Sequence, residues 1–117
     1  MNLPSISVVI PVYNEEKKIS KALESIITQN YSQDKIEIVL VDDDSTDKTL
    51  EIAKKYNIVY CRNGNHDYDI GKSLGIKKAK NSYILFIDGD NFLPEKTWLR
   101  KLIKPLLEDK NITGAQP

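Results

Sequence analysis

Three short apolar runs set the rhythm of this chain: Ile6-Ser7-Val8-Val9-Ile10, Ile36-Glu37-Ile38-Val39-Leu40-Val41 and Tyr83-Ile84-Leu85-Phe86-Ile87. They are rich in β-branched residues and nearly continuous rather than alternating, the pattern of strands covered on both faces in a parallel sheet. A weaker run, Ile58-Val59-Tyr60-Cys61, predicts another strand between the second and third. Helical periodicity fills the gaps. Over residues 15–28, the apolar positions Ile19, Ala22, Leu23, Ile26 and Ile27 form one stripe, as an amphipathic helix requires. Asn14 is its expected N-cap, with Glu15 and Glu16 on the positive end of the dipole. A second helix is predicted over 46–56, capped by Asp44 or Ser45, with Leu50, Ala53 and Tyr56 turned inward. A third spans about 70–80, weakened by Gly71 and Gly75. A fourth starts at Pro94, buries Leu99, Leu102, Ile103, Leu106 and Leu107, and kinks at Pro105. Residues 112–115 predict a further strand. Strand and helix alternate throughout, which predicts an α/β fold: an open, mostly parallel sheet with flanking helices and right-handed crossovers.

Composition narrows the class. The 117 residues are 40% hydrophobic and 29% charged, enough for a core without disulfides. Seventeen basic and seventeen acidic side chains cancel to a formal charge of zero, so no nucleic-acid partner and no membrane-binding stripe is expected. No apolar run is long enough for a transmembrane segment, and residues 1–5 do not read as a signal peptide. The single cysteine, Cys61, reads as a buried strand residue in a reducing compartment, and a cytoplasmic location is expected. The polar segment 62–69 is the expected mobile loop, with His66 as a solvated side chain within it. Trp98 reads as helix packing, and the Lys54-Lys55 and Lys77-Lys78 pairs as solvated helix faces.

Ligands of open α/β sheets bind beyond the carboxyl ends of the strands, and the polar residues here fall there. Pro11-Val12-Tyr13-Asn14-Glu15 follows the first strand, Asp42-Asp43-Asp44-Ser45 the second, and Asp88-Gly89-Asp90-Asn91 the most hydrophobic run. Asp88 and Asp90, separated by a glycine, can turn oxygens toward one hard cation, and Mg²⁺ or Mn²⁺ would share such a site with phosphate; the plain alternative is a solvated turn. Three adjacent carboxylates at 42–44 repel one another. Capping accounts for Asp44 or Ser45, leaving Asp43 to accept from a base or ribose. Tyr13 offers a flat face for a nucleobase, or packs at the rim.

Taken with their strands, the blocks Ile6 to Glu15, Val41 to Asp47 and Tyr83 to Asn91 resemble the signature blocks of family 2 glycosyltransferases, in order and over nearly the whole chain. The resemblance implies a Rossmann-like GT-A fold, with residues 1–117 forming its nucleotide-diphosphate-sugar-binding half. It implies a UDP- or GDP-sugar as donor, an acceptor the chain does not identify, Mn²⁺ or Mg²⁺ as cofactor, and transfer with inversion. Pro11, Tyr13 and Glu15 would line the base pocket and Asp43 would contact the base. Asp88 and Asp90 would be the DXD pair, with Asp90 the direct metal ligand and Asp88 nearer the ribose or sugar. Lys72, in Gly71-Lys72-Ser73-Leu74-Gly75-Ile76, would lie beside the diphosphate. The family usually carries glycine where Asp44 stands and Arg-Asn where Lys72-Ser73 stands, so a bidentate fork is replaced by a point charge. The general base is expected beyond Pro117, in an acceptor-binding half, and a face left open there is expected to favour self-association.

A second class shares one block. Ile38-Val39-Leu40-Val41-Asp42-Asp43-Asp44 also resembles the acidic block of phosphoacceptor receiver domains, with Asp88 and Lys104-Pro105 as further matches. Against this, a strand and helix precede the acidic block, and Lys104 follows Asp88 too closely to leave room for the elements that should intervene. A dinucleotide site is excluded, since Pro11-Val12-Tyr13-Asn14 stands where a glycine-rich loop would be needed.

Overall fold

A computed structural model describes residues 3–108. Four strands, β1 (Ile6–Val12), β2 (Ile36–Asp42), β3 (Val59–Arg62) and β4 (Tyr83–Phe86), form a wholly parallel sheet in the order β3-β2-β1-β4. The connections hold α1 (Ile19–Ile27), α2 (Thr49–Ala53) and α3 (Tyr68–Lys78), and α4 (Trp98–Glu108) follows β4. The α/β fold read from the alternating pattern is therefore the observed one. The strand expected at 112–115 lies outside the described residues.

The continuous apolar runs have the predicted cause. The central strands β1 and β2 are buried along almost their whole length. Side-chain alternation sends Val8, Ile10, Val12 and Leu40 to one face, where they meet Ile19, Leu23 and Ile26 of α1 and Leu99 and Ile103 of α4. The opposite face carries a smaller cluster of Val9, Val39 and Val41, and there α3 sits close. A Cβ on Gly75 would fall 2.3 Å from Val9 Cγ1 and 3.1 Å from Val41 Cγ2. Gly71 and Gly75 are thus the buried contact face of α3, not only weak points in its helical propensity. Close approach to the sheet offsets the roughly 1 kcal/mol that a mid-helix glycine costs.

Helix starts depart from the sequence reading. Asn14 does not cap α1, which begins at Ile19 after Lys18. Its side chain instead accepts from the backbone N–H of Thr46 (2.8 Å) and of Asp47 (3.3 Å). Asp44 and Ser45 do not cap α2, which begins at Thr49; the Thr49 N–H donates to Asp47 at 2.9 Å. Asn14 and Ser45 instead help join the loop after β1 to the loop after β2, while Asp44 pairs with Arg62 at the end of β3. Glu15 N–H to Thr49 Oγ1 (2.7 Å) continues the same seam. Helix α3 starts at Tyr68, two residues before the predicted start, because Asp67 accepts from Ile70 N–H at 3.1 Å. The segment 62–69 is cross-linked rather than free: Asn63 is buried, its backbone N–H donates to Asp42 O (2.8 Å), and its amide donates to Asp67 O (3.1 Å).

Candidate functional site

Strand order places the site. From β1 the chain moves outward on one side through β2 and β3, then returns to the other side of β1 as β4. The sheet therefore has a topological switch point between β1 and β4, where ligands of open α/β folds bind beyond the carboxyl ends. Parallel register pairs Val12 with Asp42 and Val9 with Phe86. The residues just past these pairs, Tyr13, Asp43 and Asp88, come off the sheet along one edge.

A cleft of about 220 Å³ opens at that edge, lined among others by Pro11, Tyr13, Asp43, Asn63, His66 and Tyr68. Tyr13 is 52% exposed, so its side chain is open at the cleft rather than consumed in packing. Asp43 is not left free, as the sequence alone suggested. His66 donates its backbone N–H to Oδ1 and places Nδ1 at 3.1 Å from Oδ2. His66 holds a left-handed backbone, φ 54°, to make both contacts, so it is more than the solvated loop residue expected. A carboxylate has four lone-pair positions, so Asp43 retains acceptor capacity toward the cleft.

Its neighbours also find partners, which is how three adjacent carboxylates are tolerated. Asp42 is buried and accepts from Ser45 N–H (3.1 Å) and Ser45 Oγ–H (2.6 Å). Asp44 takes the bidentate fork of Arg62 at 2.7 and 2.8 Å. That hydrogen bond holds the Asp44 carboxyl below the ordinary aspartate range. Asp44 stands at φ 55°, which explains why the resemblance puts glycine there: the turn needs a left-handed residue.

The other sequence-predicted groups lie past the end of β4 and on α3. Asp88 and Asp90 are exposed, and Gly89 between them is buried against β1. A Cβ on Gly89 would fall 2.4 Å from Val12 Cγ1 and 3.4 Å from Glu15 Cγ, so only glycine lets this turn lie on the strand. Glu15 borders that turn and is not among the residues lining the cleft. The Lys72 ammonium lies 4.7 Å from the centroid of the Tyr68 ring and 5.1 Å from that of Phe86. Tyr68 donates its hydroxyl to Asp88 Oδ1 at 2.6 Å. Desolvation first, then that hydrogen bond, pushes the Tyr68 phenol up to about 12.

The Asp88–Asp90 pair suits a hard divalent cation: two exposed carboxylates on one glycine-centred turn, with oxygen as the only donor type. Among the described residues no third His, Cys, Asp or Glu completes a metal cluster. Remaining positions would fall to water and ligand oxygens, the habit of Mg²⁺ and Mn²⁺ at phosphate sites. Four contributors to the cleft region escaped the sequence reading: Asn63, His66, Asp67 and Tyr68. Asp67 could have been found as a cap placed before an apolar helical stripe. His66 and Tyr68 act on partners 23 and 20 residues away, and no local pattern announces them. Cys61 is half-buried in β3, and burial pushes its thiol up, which disfavours the thiolate form.

An open parallel sheet with an aromatic and two carboxylate turns past the carboxyl ends of its strands defines the class as a doubly wound type of α/β fold. The chain belongs to glycosyl transferase family 2, whose model matches residues 7–117. It is 39% identical over 98 residues to the minor teichoic acid biosynthesis protein GgaB of Bacillus subtilis (strain 168), covering 79% of this chain and 11% of that protein. Its structure is similar to the crystal structure of TarS 1–349 from Staphylococcus aureus, with a TM-score of 0.81 at 31% identity. That match covers 89% of this chain and 32% of TarS 1–349. A mannosyltransferase from Pyrobaculum calidifontis, solved with GDP-Man and Mn²⁺, superposes with a TM-score of 0.81 at 25% identity, covering 86% of this chain and 32% of its own. The chain thus spans about a third or less of these three proteins' lengths. The receiver-domain alternative finds no support in these relatives or in the geometry. Lys104 lies on α4 with Glu108 Oε1 3.8 Å away, and Asp88 is engaged by Tyr68. No helix among the described residues is long and apolar enough to cross a membrane.

Proposed function

We propose that this chain binds the nucleoside diphosphate of a sugar donor together with a divalent cation, and so supplies the donor side of an inverting glycosyl transfer. One observation carries the reading: the Tyr13–Asp43 cleft and the Asp88-Gly89-Asp90 turn both lie past the carboxyl ends of the strands, linked by Tyr68, which lines the cleft and donates its hydroxyl to Asp88. In this reading Tyr13 and Pro11 face the base, and Asp43, steadied by His66, accepts from a base N–H. Lys72 lies on the diphosphate side. Glu15 supports the β1 loop at the edge of the base site. Asp90 and Asp88 would hold Mn²⁺ or Mg²⁺, whose chemistry is to neutralise charge on the departing diphosphate as a Lewis acid.

The bond changes are simple. An acceptor hydroxyl oxygen attacks the anomeric carbon, the bond from that carbon to the diphosphate breaks, and the nucleoside diphosphate leaves. The acceptor proton goes to a general base, which the proposal assigns to none of residues 3–108. TarS 1–349 has been crystallised with UDP and with UDP-GlcNAc, and the P. calidifontis enzyme with GDP-Man. Both support a nucleotide sugar as ligand and leave uracil and guanine as the bases to compare.

Thermal unfolding with UDP, GDP, CDP or ADP, each with Mn²⁺ or EDTA, tests this. At about 100 times its dissociation constant a ligand adds roughly 2.7 kcal/mol, a rise of several degrees in a domain this size. One nucleotide should raise the melting temperature in Mn²⁺, and Asp90→Ala should abolish that rise. No rise with any nucleotide would overturn the proposal.

A further inference from the structure

Tyr68 is placed where the cleft, the cation turn and Lys72 meet. Its ring lines the cleft, its hydroxyl donates to Asp88 Oδ1 at 2.6 Å, and the Lys72 ammonium rests 4.7 Å from its ring centroid. It is also 49% exposed, too open for core packing to account for an aromatic at this position. We infer that Tyr68 is a positioning residue for the donor site: its hydroxyl occupies one oxygen of Asp88, fixes that carboxylate's rotamer, and leaves Oδ2 for the cation or its ligand. The inference rests on the nucleotide-and-cation reading above and deepens it.

Three physical points carry it. A lone carboxylate on an exposed turn samples several rotamers, and a ligand must pay the entropy of choosing one. A short, charge-assisted hydrogen bond from a phenol narrows that choice before the ligand arrives. The donor is itself held, because Tyr68 is the first residue of α3, capped by Asp67 and anchored on the sheet through Gly71 and Gly75. Position along the helix adds the second effect. Lys72 lies one turn after Tyr68, and the faces of Tyr68 and Phe86, at 4.7 and 5.1 Å from its ammonium, hold a cation that would otherwise swing freely. One aromatic thus orders both an anion meant for the cation and a cation meant for phosphate.

The two functions separate by substitution. Tyr68→Phe keeps the ring that seats Lys72 and removes only the hydroxyl, whereas Tyr68→Leu removes both. Affinity for UDP and for GDP is measured by calorimetry in Mn²⁺ and in EDTA, for the unsubstituted chain, Y68F, Y68L, Asp88→Asn and Y68F/D88N. Outer partners of cation ligands typically contribute on the order of 10-fold or more in affinity. Y68F is therefore expected to weaken binding in Mn²⁺ by roughly 10-fold and binding in EDTA by much less, and Y68L to add a loss in EDTA as Lys72 comes free. In the D88N background Y68F should cost nothing further, since it acts through that carboxylate. Equal affinity of Y68F and the unsubstituted chain in Mn²⁺ overturns the inference, as does the same loss with and without Asp88. Where D88N binds too weakly to close the cycle, the ratio of Mn²⁺ to EDTA affinities decides: unchanged in Y68F, it overturns the inference. Failure of the unsubstituted chain to bind either nucleotide with Mn²⁺ sinks the donor-site reading itself, and the role of Tyr68 with it.

Discussion

Asp44 shows how one residue can carry both a strain and its remedy. Its φ of 55° lies in the left-handed region, where a side chain costs roughly 1–2 kcal/mol, and the fork of Arg62 holds it there. Removing the carboxylate should therefore hurt less when glycine replaces it than when alanine does. Glycine also enlarges the unfolded ensemble, by roughly 0.4–1 kcal/mol, but the relief of backbone strain is the larger quantity. Asp44→Gly is expected to melt above Asp44→Ala; the reverse order would show that the turn does not impose the left-handed backbone. The Arg62 pair has its own pH signature. Its hydrogen bond lowers the folded carboxyl below the ordinary aspartate value, so its contribution is present above that value and is lost as pH falls through the folded one. The gap in melting temperature between the parent and Arg62→Gln should be open at neutral pH and closed in strong acid. Both side chains are exposed, so salt should narrow it too. None of this pairing was legible in the sequence, because Arg62 and Asp44 lie 18 residues apart and no short motif joins them.

At the scale of elements, what could be read and what could not divide along physical lines. The strands were legible because burial on both faces leaves a continuous apolar run in β1 and β2. The starts of α1 and α2 were not, because Asn14, Asp44 and Ser45, each competent as a cap, bond instead to a neighbouring loop or strand. Of the site, Pro11, Tyr13 and Asp43 were legible as strand-end residues that the fold gathers into one cleft, while His66 and Tyr68 were hidden by distance along the chain. Helix α3 illustrates the opposite error: its glycines read as defects, yet Gly75 is the residue that lets the helix touch the sheet. Gly75→Ala would gain up to about 1 kcal/mol of helix propensity. Against that stands a Cβ 2.3 Å from the buried Val9 Cγ1, and overpacking of this kind costs roughly 1–3 kcal/mol. The clash should win, lowering the melting temperature by several degrees, and Val9→Ala should restore part of the loss in the double variant. A Gly75→Ala chain as stable as its parent would mean that α3 rides higher on the sheet than this packing shows.

The molecule as a whole is polarised along its strands. One edge carries the cleft, the carboxylate turns and the seam between loops. The other carries a small polar lock in which Ser7 donates to the buried Glu37 at 2.7 Å, Lys80 N–H donates to Glu37 at 2.9 Å, and Asn81 N–H donates to Ser7 Oγ at 3.3 Å. This separation decides what a bound nucleotide can stabilise. Amides in the core strands exchange by global unfolding, so any ligand that binds the native state slows them wherever they lie. Amides in loops exchange by local opening, and such an opening feels the ligand only when it breaks the site. Hydrogen exchange with nucleotide and Mn²⁺ should therefore slow the loop amides of Asp43, Asn65 and His66 together with those of the strands. The Lys80 and Asn81 amides should keep their local rates, because opening the polar lock leaves the far edge intact. Slowing at Lys80 and Asn81 equal to that at His66 would mean that these loops do not open independently, and that the two edges of the sheet are coupled through α3.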